Sequence, residues 1–306
     1  TSSGTLALLG GTATFNATGS GTYIGVISGT GTSVVKTGAG TQTFSAANTY
    51  TGTTTVNGGI LAISGTLANN ANAIVTVNDG GTLRFDRGDI FGGFSTTIAT
   101  PITINAGGTL TNSGAFFSRL GPVTLNGGTL TSVNGLTVSG LASPFAWAIG
   151  SNLTATGNVQ STISGTGNVM LGSGSVTGVT FTVNDGAAAT DLEVSANLVN
   201  SSSTTWGTPN TSFLTKTGAG TMRLSGDNLY RGVSTVSAGT LAVSSGMNSD
   251  PVYNYMSGLG SGAAGTTVAS GATLDLRNVQ FYYTSDTGRE AITLNGGTLL
   301  VSTGTS

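Results

Sequence analysis

The sequence predicts an all-β solenoid, a parallel β-helix of roughly a dozen coils with loop insertions. A short phrase recurs along the chain: Thr, an apolar residue, a polar or small residue, Gly, a spacer and Leu. Glycine supplies 51 of the 306 residues, and β-branched residues flank many of these glycines. Charged residues make up only 7% of the chain, against about a quarter in an average domain. These features are typical of short stacked strands joined by glycine turns.

The spacing of the phrase favours coils over the strands of a sandwich. Seven near-complete copies occur, at residues 55–61, 76–83, 103–110, 124–130, 235–241, 267–274 and 293–299, and a partial copy begins at residue 182. The closing leucines of the first four copies are 22, 27 and 20 residues apart. Such a step suits one coil with two or three short strands, whereas an antiparallel sandwich would repeat every ~8–12 residues.

Each phrase is interpreted as strand, turn and strand. Thr, Val and Ile are β-branched and favour a pleated surface. Asn-Gly, Asp-Gly and Gly-Gly pairs supply the positive φ that a tight corner requires. We expect ladders of Val, Ile, Leu and Ala inside the coil and Thr, Ser and Asn outside.

Composition excludes several classes of function. The chain has no Cys and no His, which excludes disulfides, Cys/His metal sites and a histidine general base. A net charge of -2 argues against nucleic acid, which needs a basic footprint. No apolar run approaches the roughly 18 residues of a membrane helix. We therefore expect no cofactor, no nucleic-acid partner and no membrane span in this chain.

A longer duplication links two distant parts of the chain. The run Lys-Thr-Gly-Ala-Gly-Thr begins at Lys36 and again at Lys216, and the match continues without a gap through Ser, Asn-x-Tyr-x-Gly, Thr-Val and Leu-Ala. About half of the positions in the blocks 36–64 and 216–244 are identical. This pattern closely resembles the autotransporter-associated β-strand repeat of bacterial passenger regions. The resemblance implies a right-handed parallel β-helix, a single solenoid over residues 1–306, exported to the cell surface. Passengers of this type include adhesins, aggregation factors and enzymes.

Six residues mark equivalent positions in the two blocks: Lys36, Asn48, Tyr50, Lys216, Asn228 and Tyr230. We expect the two asparagines to bond the backbone of a neighbouring coil at a turn, and the tyrosines to pack over that turn. The two lysines are the only ones in the chain. They are predicted to be solvent-facing turn residues, with interface contacts as the alternative.

Five stretches interrupt the phrase and are predicted to be loop insertions, near residues 84–101, 139–157, 201–213, 246–265 and 277–290. They hold many of the larger aromatic residues, among them Trp147, Trp206, Tyr253, Tyr255, Tyr282 and Tyr283. Loop aromatics suit binding because they cover much area at low entropic cost. They equally suit covering an open end or flank of the solenoid or contacting another subunit, and this interpretation is favoured over a dedicated ligand site.

The first insertion contains the tripeptide Arg87-Gly88-Asp89, which matches the integrin-recognition sequence. It lies in the run of residues 84–89, whose four charges alternate in sign. Host-receptor contact is one interpretation, and a local ion-pair cluster on a turn is the other.

Carboxylates that could serve an enzyme fall into two groups: Asp79, Asp86 and Asp89, and Asp185, Asp191 and Glu193. Their spacing of a few residues does not match coil-equivalent positions, so a catalytic pair for glycoside hydrolysis is not expected. One Asn-Asp-Gly-Gly sequence at residues 78–81 lacks the tandem partners of a calcium-binding roll. Incidental calcium binding by loop carboxylates is the alternative left open.

Alternating threonines, such as Thr12 with Thr14 and Thr41 with Thr43, resemble flat ice-binding faces. A flat face of this kind would require coils of equal length. The steps between copies of the phrase range from 20 to 33 residues, which argues against a regular face.

These observations predict an extracellular structural or adhesive protein of the bacterial cell surface, a non-catalytic stalk or filament subunit. Both ends, residues 1–15 and 292–303, follow the ordinary coil pattern without the cap of a terminal repeat. Uncapped ends predict either truncation from a longer array or stacking of one subunit onto the next. We expect self-association, head to tail or lateral, and contacts with surface glycans or with host or neighbouring cells. The alternative is a carbohydrate-binding or carbohydrate-cleaving β-helix.

Overall fold

The computed structural model describes residues 4–93, 97–114, 116–133, 145–173, 176–201, 211–244, 258–260, 264–277 and 291–302. These residues form strands joined by turns, and no helix occurs among them. In chain order the strands are β1 Leu6–Ala7, β2 Thr12–Asn16, β3 Gly21–Tyr23, β4 Ile27–Ser28, β5 Ser33–Thr37, β6 Thr41–Phe44, β7 Thr54–Val56, β8 Gly59–Ile63, β9 Val75–Val77, β10 Gly81–Phe85, β11 Ile102–Asn105, β12 Thr109–Asn112, β13 Ser118–Leu120, β14 Val123–Asn126, β15 Thr129–Ser132, β16 Phe145–Ile149, β17 Leu153–Thr156, β18 Ser161–Gly165, β19 Asn168–Leu171, β20 Gly178–Val183, β21 Leu192–Val194, β22 Leu198–Asn200, β23 Phe213–Thr217, β24 Thr221–Leu224, β25 Ser234–Val236, β26 Thr240–Val243, β27 Thr266–Ala269, β28 Thr273–Arg277, β29 Ile292–Asn295 and β30 Thr298–Ser302.

The strands form two long parallel sheets and a third, shorter side. Sheet 1 has the order β2-β5-β7-β9-β11-β14-β17-β20-β23-β25-β27-β29, and sheet 2 has the order β3-β6-β8-β10-β12-β15-β18-β21-β24-β26-β28-β30. The third side consists of the pair β1-β4 and the four-stranded sheet β13-β16-β19-β22. Each coil supplies one strand to sheet 1 and the next strand to sheet 2, so the described residues form twelve coils. The prediction of a right-handed parallel β-helix of about this size is confirmed.

The interior is a set of apolar ladders that run along the helix axis. In sheet 1, Val56 pairs with Val77, which is in register with Ile104 of the next coil. In sheet 2, Leu61 pairs with Leu83, and all five of these side chains are fully buried. Burying a side chain of this size contributes about 1.5–3 kcal/mol. Coil stacking therefore supplies both the core and the backbone hydrogen bonds.

The corner between sheets 1 and 2 depends on glycine. Gly59 has a φ of 61° and its counterpart in the second block, Gly239, has a φ of 65°. A Cβ at Gly59 would lie 2.4 Å from the carbonyl oxygen of Gly40 in the coil below. Only glycine accepts both this backbone conformation and this close approach.

Two predicted insertion boundaries are wrong. The stretch 139–157 contains strands β16 and β17, and β16 pairs with β13 and β19 to continue the third side. The stretch 84–101 begins inside β10, and its Phe85 and Phe91 are buried with their rings 5.9 Å apart. Both stretches lack the Thr…Leu phrase, because they extend the third side or its core instead of the corner of sheets 1 and 2.

Candidate functional site: repeat corners and outer faces

Lys36 lies inside the coil and not at its surface. Its side chain occupies the inward phase of β5, in register between Phe15 of the coil below and Val56 of the coil above, and it is fully buried. The Nζ atom donates to the carbonyl oxygens of Thr37 at 2.8 Å, Gly38 at 2.8 Å and Gly58 at 2.9 Å. Two consecutive coils are thereby joined through one ammonium group.

Lys216 repeats this arrangement in the second block. It is fully buried, and its Nζ donates to the carbonyl oxygens of Thr217 at 3.1 Å, Gly218 at 2.7 Å and Ala238 at 2.9 Å. The prediction that the two lysines face solvent is therefore wrong. The residue two positions before each of them, Val34 or Leu214, is also buried, so both lysines fall on the inward side of the strand alternation.

Burial shifts the acid–base equilibrium of both ammonium groups. It lowers the pKa of Lys36 below its ordinary value. It lowers the pKa of Lys216 further, to about 8, although the nearby Asp191 carboxylate opposes the shift. Desolvation of the charged form is the cause in both cases.

Asn48 and Asn228 bridge neighbouring coils through their side-chain amides. Oδ1 of Asn48 accepts from the Ile27 amide at 2.9 Å, and its Nδ2 donates to the Thr66 carbonyl at 3.3 Å. Oδ1 of Asn228 accepts from the Leu198 amide at 2.9 Å, and its Nδ2 donates to the carbonyl of residue 258 at 2.6 Å. Each buried amide thus contacts the coils on both sides, at the corner where the sequence placed a turn.

Tyr50 and Tyr230 close the same corner from within. Each ring is buried, and each hydroxyl lies 2.6 Å from the hydroxyl of the residue four positions later, Thr54 or Ser234. Burial raises the pKa of Tyr50 to about 12. Sequence reasoning missed these hydroxyl partners, although a Thr or Ser four residues after each tyrosine was a usable signal.

The outer side of sheet 1, which we name the threonine face, carries threonine on nearly every strand. Its first ladder is Thr14, Val35, Thr55, Thr76, Thr103, Thr124, Thr154, Thr182 and Thr217. Its second ladder is Thr180, Thr215, Thr235, Thr267 and Thr293. The threonines are partly or fully exposed. The hydroxyls of Thr182 and Thr217 lie 3.0 Å apart.

A second row of polar groups lies beside the first ladder. Asn78 donates to Asn57 at 2.7 Å, Asn105 donates to Asn78 at 2.6 Å, and Asn126 donates to Asn105 at 2.9 Å, in each case from Nδ2 to Oδ1. These four amides form one head-to-tail chain across four coils. The chain holds every amide in the same orientation.

Comparison with known proteins identifies the duplicated blocks. The family model described as passenger-associated-transport-repeat matches residues 34–63 and 214–243. The chain carries two passenger-associated-transport-repeats. Neither a curated protein nor a solved structure gives a significant match to the chain.

Each passenger-associated-transport-repeat corresponds to two consecutive coils. The first comprises β5 to β8, and the second comprises β23 to β26. The matched ranges begin two residues before the lysines, at Val34 and Leu214, which are the first inward residues of their strands. The buried lysine, asparagine and tyrosine all lie within each match.

Two of the carboxylates considered as catalytic candidates instead form hydrogen bonds or an ion pair within the coil stack. Asp191 accepts from the Gly186 amide at 2.9 Å and from the Thr221 amide at 2.7 Å. Glu193 pairs with Arg223 at 2.5 Å and accepts from the hydroxyl of Ser225. Asp79 and Asp185 lie exposed in loops. Among the described residues, no group of three or more His, Cys, Asp or Glu side chains is arranged to hold a metal ion.

The Arg-Gly-Asp segment is only partly displayed. Asp86 forms a two-point ion pair with Arg84, at 2.7 and 2.8 Å, which is the local cluster that alternating charges predicted.

Within the tripeptide itself, Arg87 is exposed. Asp89 has a φ of 54°, and its Oδ1 is buried without a hydrogen-bond partner in the described part of the chain. Burial raises the pKa of Asp89, and Arg119 opposes the shift. Gly88 lies against the Phe117 carbonyl, 2.7 Å from where a Cβ would be. Recognition through the Asp89 carboxylate would require this segment to move.

Of the predicted contact aromatics, Trp147 lies in β16 and is 1% exposed. Its Nε1 donates to the Thr131 carbonyl at 3.2 Å, and its ring packs edge-to-face on Phe85 at 5.6 Å. The prediction that Trp147 is a contact-loop residue is therefore wrong, because its strand completes the third side. Trp206, Tyr253, Tyr255, Tyr282 and Tyr283 lie outside the described residues. In the described part of the chain, no helix is long and apolar enough to cross a membrane.

Proposed function

We propose that the chain is a non-catalytic, extracellular stalk or fibre segment of a bacterial cell surface. The observation that carries the proposal is the stack of twelve coils built on two passenger-associated-transport-repeats. With one coil every ~4.8 Å, these coils form a rod about 55 Å long. Both lysines are buried and the chain has no cysteine. Such a rod offers no exposed lysine to proteases that cut only after lysine, and no cysteine to thiol chemistry.

End-to-end stacking would lengthen this rod into a fibre. The last described coil exposes side chains of an apolar type that is buried in the coils before it: Leu294 by 46%, Leu299 by 39% and Val301 by 76%. An open strand edge with apolar side chains is a template for further strands. A contact that repeats from one subunit to the next without closing produces filaments. The first strands of sheets 1 and 2 in a second copy are the proposed occupant.

The stacking proposal is tested with charged variants of the exposed end. Val301→Lys should shorten the fibres seen by negative-stain microscopy and reduce the sedimentation coefficient at micromolar concentrations, because a charge would be buried at each junction. Val159→Lys is the matched control, since Val159 is 57% exposed in a turn away from that end. Short separate rods of the unaltered chain at every concentration would reject stacking. Surface location is tested separately, by protease treatment of intact source cells followed by detection of the chain.

Adhesion is proposed to use the outer faces and the insertion loops, with surface glycans or neighbouring cells as partners. The rival proposal, a carbohydrate-cleaving β-helix, needs two available carboxylates about 5–9.5 Å apart. The pairing of Asp191 with backbone amides and of Glu193 with Arg223 supports the non-catalytic alternative. Release of reducing sugar or unsaturated product from polysaccharides by the purified chain would overturn it.

A further inference from the structure

The threonine face is regular even though the coils differ in length. Thr55 and Thr76 are 21 residues apart in sequence, and Thr154 and Thr182 are 28 apart, yet both pairs are direct partners in sheet 1. Pairing within sheet 1 therefore keeps its register between coils of different length. The objection drawn from unequal steps in the sequence therefore does not apply to this face.

Two rows of groups give the face a repeat in two directions. Along the axis, the first ladder places a threonine on each coil from Thr55 to Thr217, about every 4.8 Å. The second ladder lies two residues earlier along the strand and runs from Thr180 to Thr293. Along each strand, the second row lies two residues beyond the first, about 6.6 Å away. That second row consists of the asparagine chain from Asn57 to Asn126 and then of Thr156. Backbone pairing on both sides of each inner strand fixes these positions.

The face carries no charge. The only charged residues within the twelve strands of sheet 1 are Lys36 and Lys216. Both point inward, where each ammonium group donates to three backbone carbonyls. What remains outside in the threonine and asparagine rows is a neutral array of hydroxyl, amide and methyl groups. One aromatic side chain lies on the same side of sheet 1, two residues before Thr215: Phe213 is 43% exposed and its ring lies against Gly178 of the neighbouring coil.

We propose that the threonine face binds ice. Hydroxyls and amides at fixed positions hold first-layer waters by hydrogen bonds, and ordered waters of this kind bridge surfaces nearly as well as direct contacts. The threonine methyls separate these waters and keep them in rows. A layer of water ordered at this interval matches the oxygen rows of an ice surface, which repeat at a similar distance. Absence of charge is essential, because an ionic group would impose its own hydration shell on the layer.

The test uses the whole purified chain and two double variants with the same change in the same two coils. Thr103→Lys with Thr124→Lys alters the threonine face, whereas Thr109→Lys with Thr129→Lys alters the outer side of sheet 2, where both threonines are also partly exposed. Incorporation into a slowly grown ice hemisphere and inhibition of ice recrystallisation are measured for each protein. Circular dichroism and thermal unfolding show whether each variant keeps its fold. If the lysine variant of the face unfolds, Thr103→Val with Thr124→Val replaces it, since valine keeps the shape and removes the hydroxyls.

The unaltered chain and the sheet 2 control should enter ice, and the face variant should lose this activity, because two adjacent lysines place charge and bulk in the middle of the water-ordering rows. Exclusion of the unaltered chain from ice, as for serum albumin, would overturn the proposal. Equal loss in both double variants would also overturn it. Binding to microcrystalline cellulose or chitin that depends on Thr103 and Thr124, without entry into ice, would assign the face to a polysaccharide surface instead.

Discussion

Replacing Lys36 with methionine should destabilise the first passenger-associated-transport-repeat. Methionine fills a similar volume but leaves the carbonyls of Thr37, Gly38 and Gly58 without their shared donor. The Thr37 carbonyl keeps its hydrogen bond from the Ala17 amide, so the carbonyls of Gly38 and Gly58 are the two that lose this donor, at a cost of roughly 2–6 kcal/mol in total. Relief from burying the ammonium offsets part of this cost. We expect a net loss of about 1–3 kcal/mol in the free energy of unfolding.

The assay is urea unfolding followed by fluorescence, combined with hydrogen exchange of residues 34–63. The exchange measurement is needed because repeat arrays can unfold coil by coil, so a single transition does not report each repeat. Lys216→Met serves as an internal comparison. Its ammonium has the more strongly lowered pKa, about 8, which indicates a larger desolvation penalty for the charged group. Replacing Lys216 removes this larger penalty, so the net loss of stability should be smaller than for Lys36→Met. Unchanged exchange in the first repeat of Lys36→Met, or a larger loss for Lys216→Met, would refute the reasoning.

Three further predictions follow from the same corners. Amine-reactive esters should label neither lysine in the folded chain and both after unfolding, counted by mass spectrometry; a labelled Lys36 or Lys216 in the native protein would contradict their burial. Because the folded-state pKa of Lys216 is lowered to about 8, the unfolded chain binds more protons above that pH, so stability should rise from pH 8 towards 10. This rise should become smaller in Lys216→Met, where the lowered pKa of Lys36 leaves a residual rise. The window ends near 10, because the raised pKa of Tyr50 makes stability fall with pH above the ordinary tyrosine value. Asn48→Ala should cost about 1–3 kcal/mol, since it leaves the buried Ile27 amide unpaired, whereas Asn57→Ala at the exposed end of the asparagine chain should cost less than about 0.5 kcal/mol.

The architecture could be predicted from the sequence because the same short pattern of residues recurs in many of the coils. The Thr…Leu phrase coincides with strands of sheets 1 and 2, as in β7 with β8 and β9 with β10. The asparagine bridges were predictable for a related reason: an amide at a turn can reach only its own coil and the two beside it.

The lysines were misplaced because residue type was given more weight than strand phase. A lysine between Val and Thr in β5 looks exposed by composition, yet alternation places it on the side of Val34. What makes the inward position tolerable is the three carbonyls at the corner, and these come from glycine-containing turns in two different coils. That convergence depends on register between coils, which no local pattern reports. Trp147 was misassigned for a comparable reason, because its strand belongs to the third side and has no copy of the phrase.

Register is also what allows the outer faces and the loops to vary independently. The corner residues tie each repeat to its neighbours at fixed points, through Lys36 across sheet 1 and through Asn48 at the following turn. Residues added between these points leave the next strand in the same pairing, as the partners Thr76 and Thr103 show across a 27-residue step. Insertions can therefore change in length and composition without disturbing the threonine face. A rod built in this way can acquire new contacts in its loops while its regular face keeps a separate role.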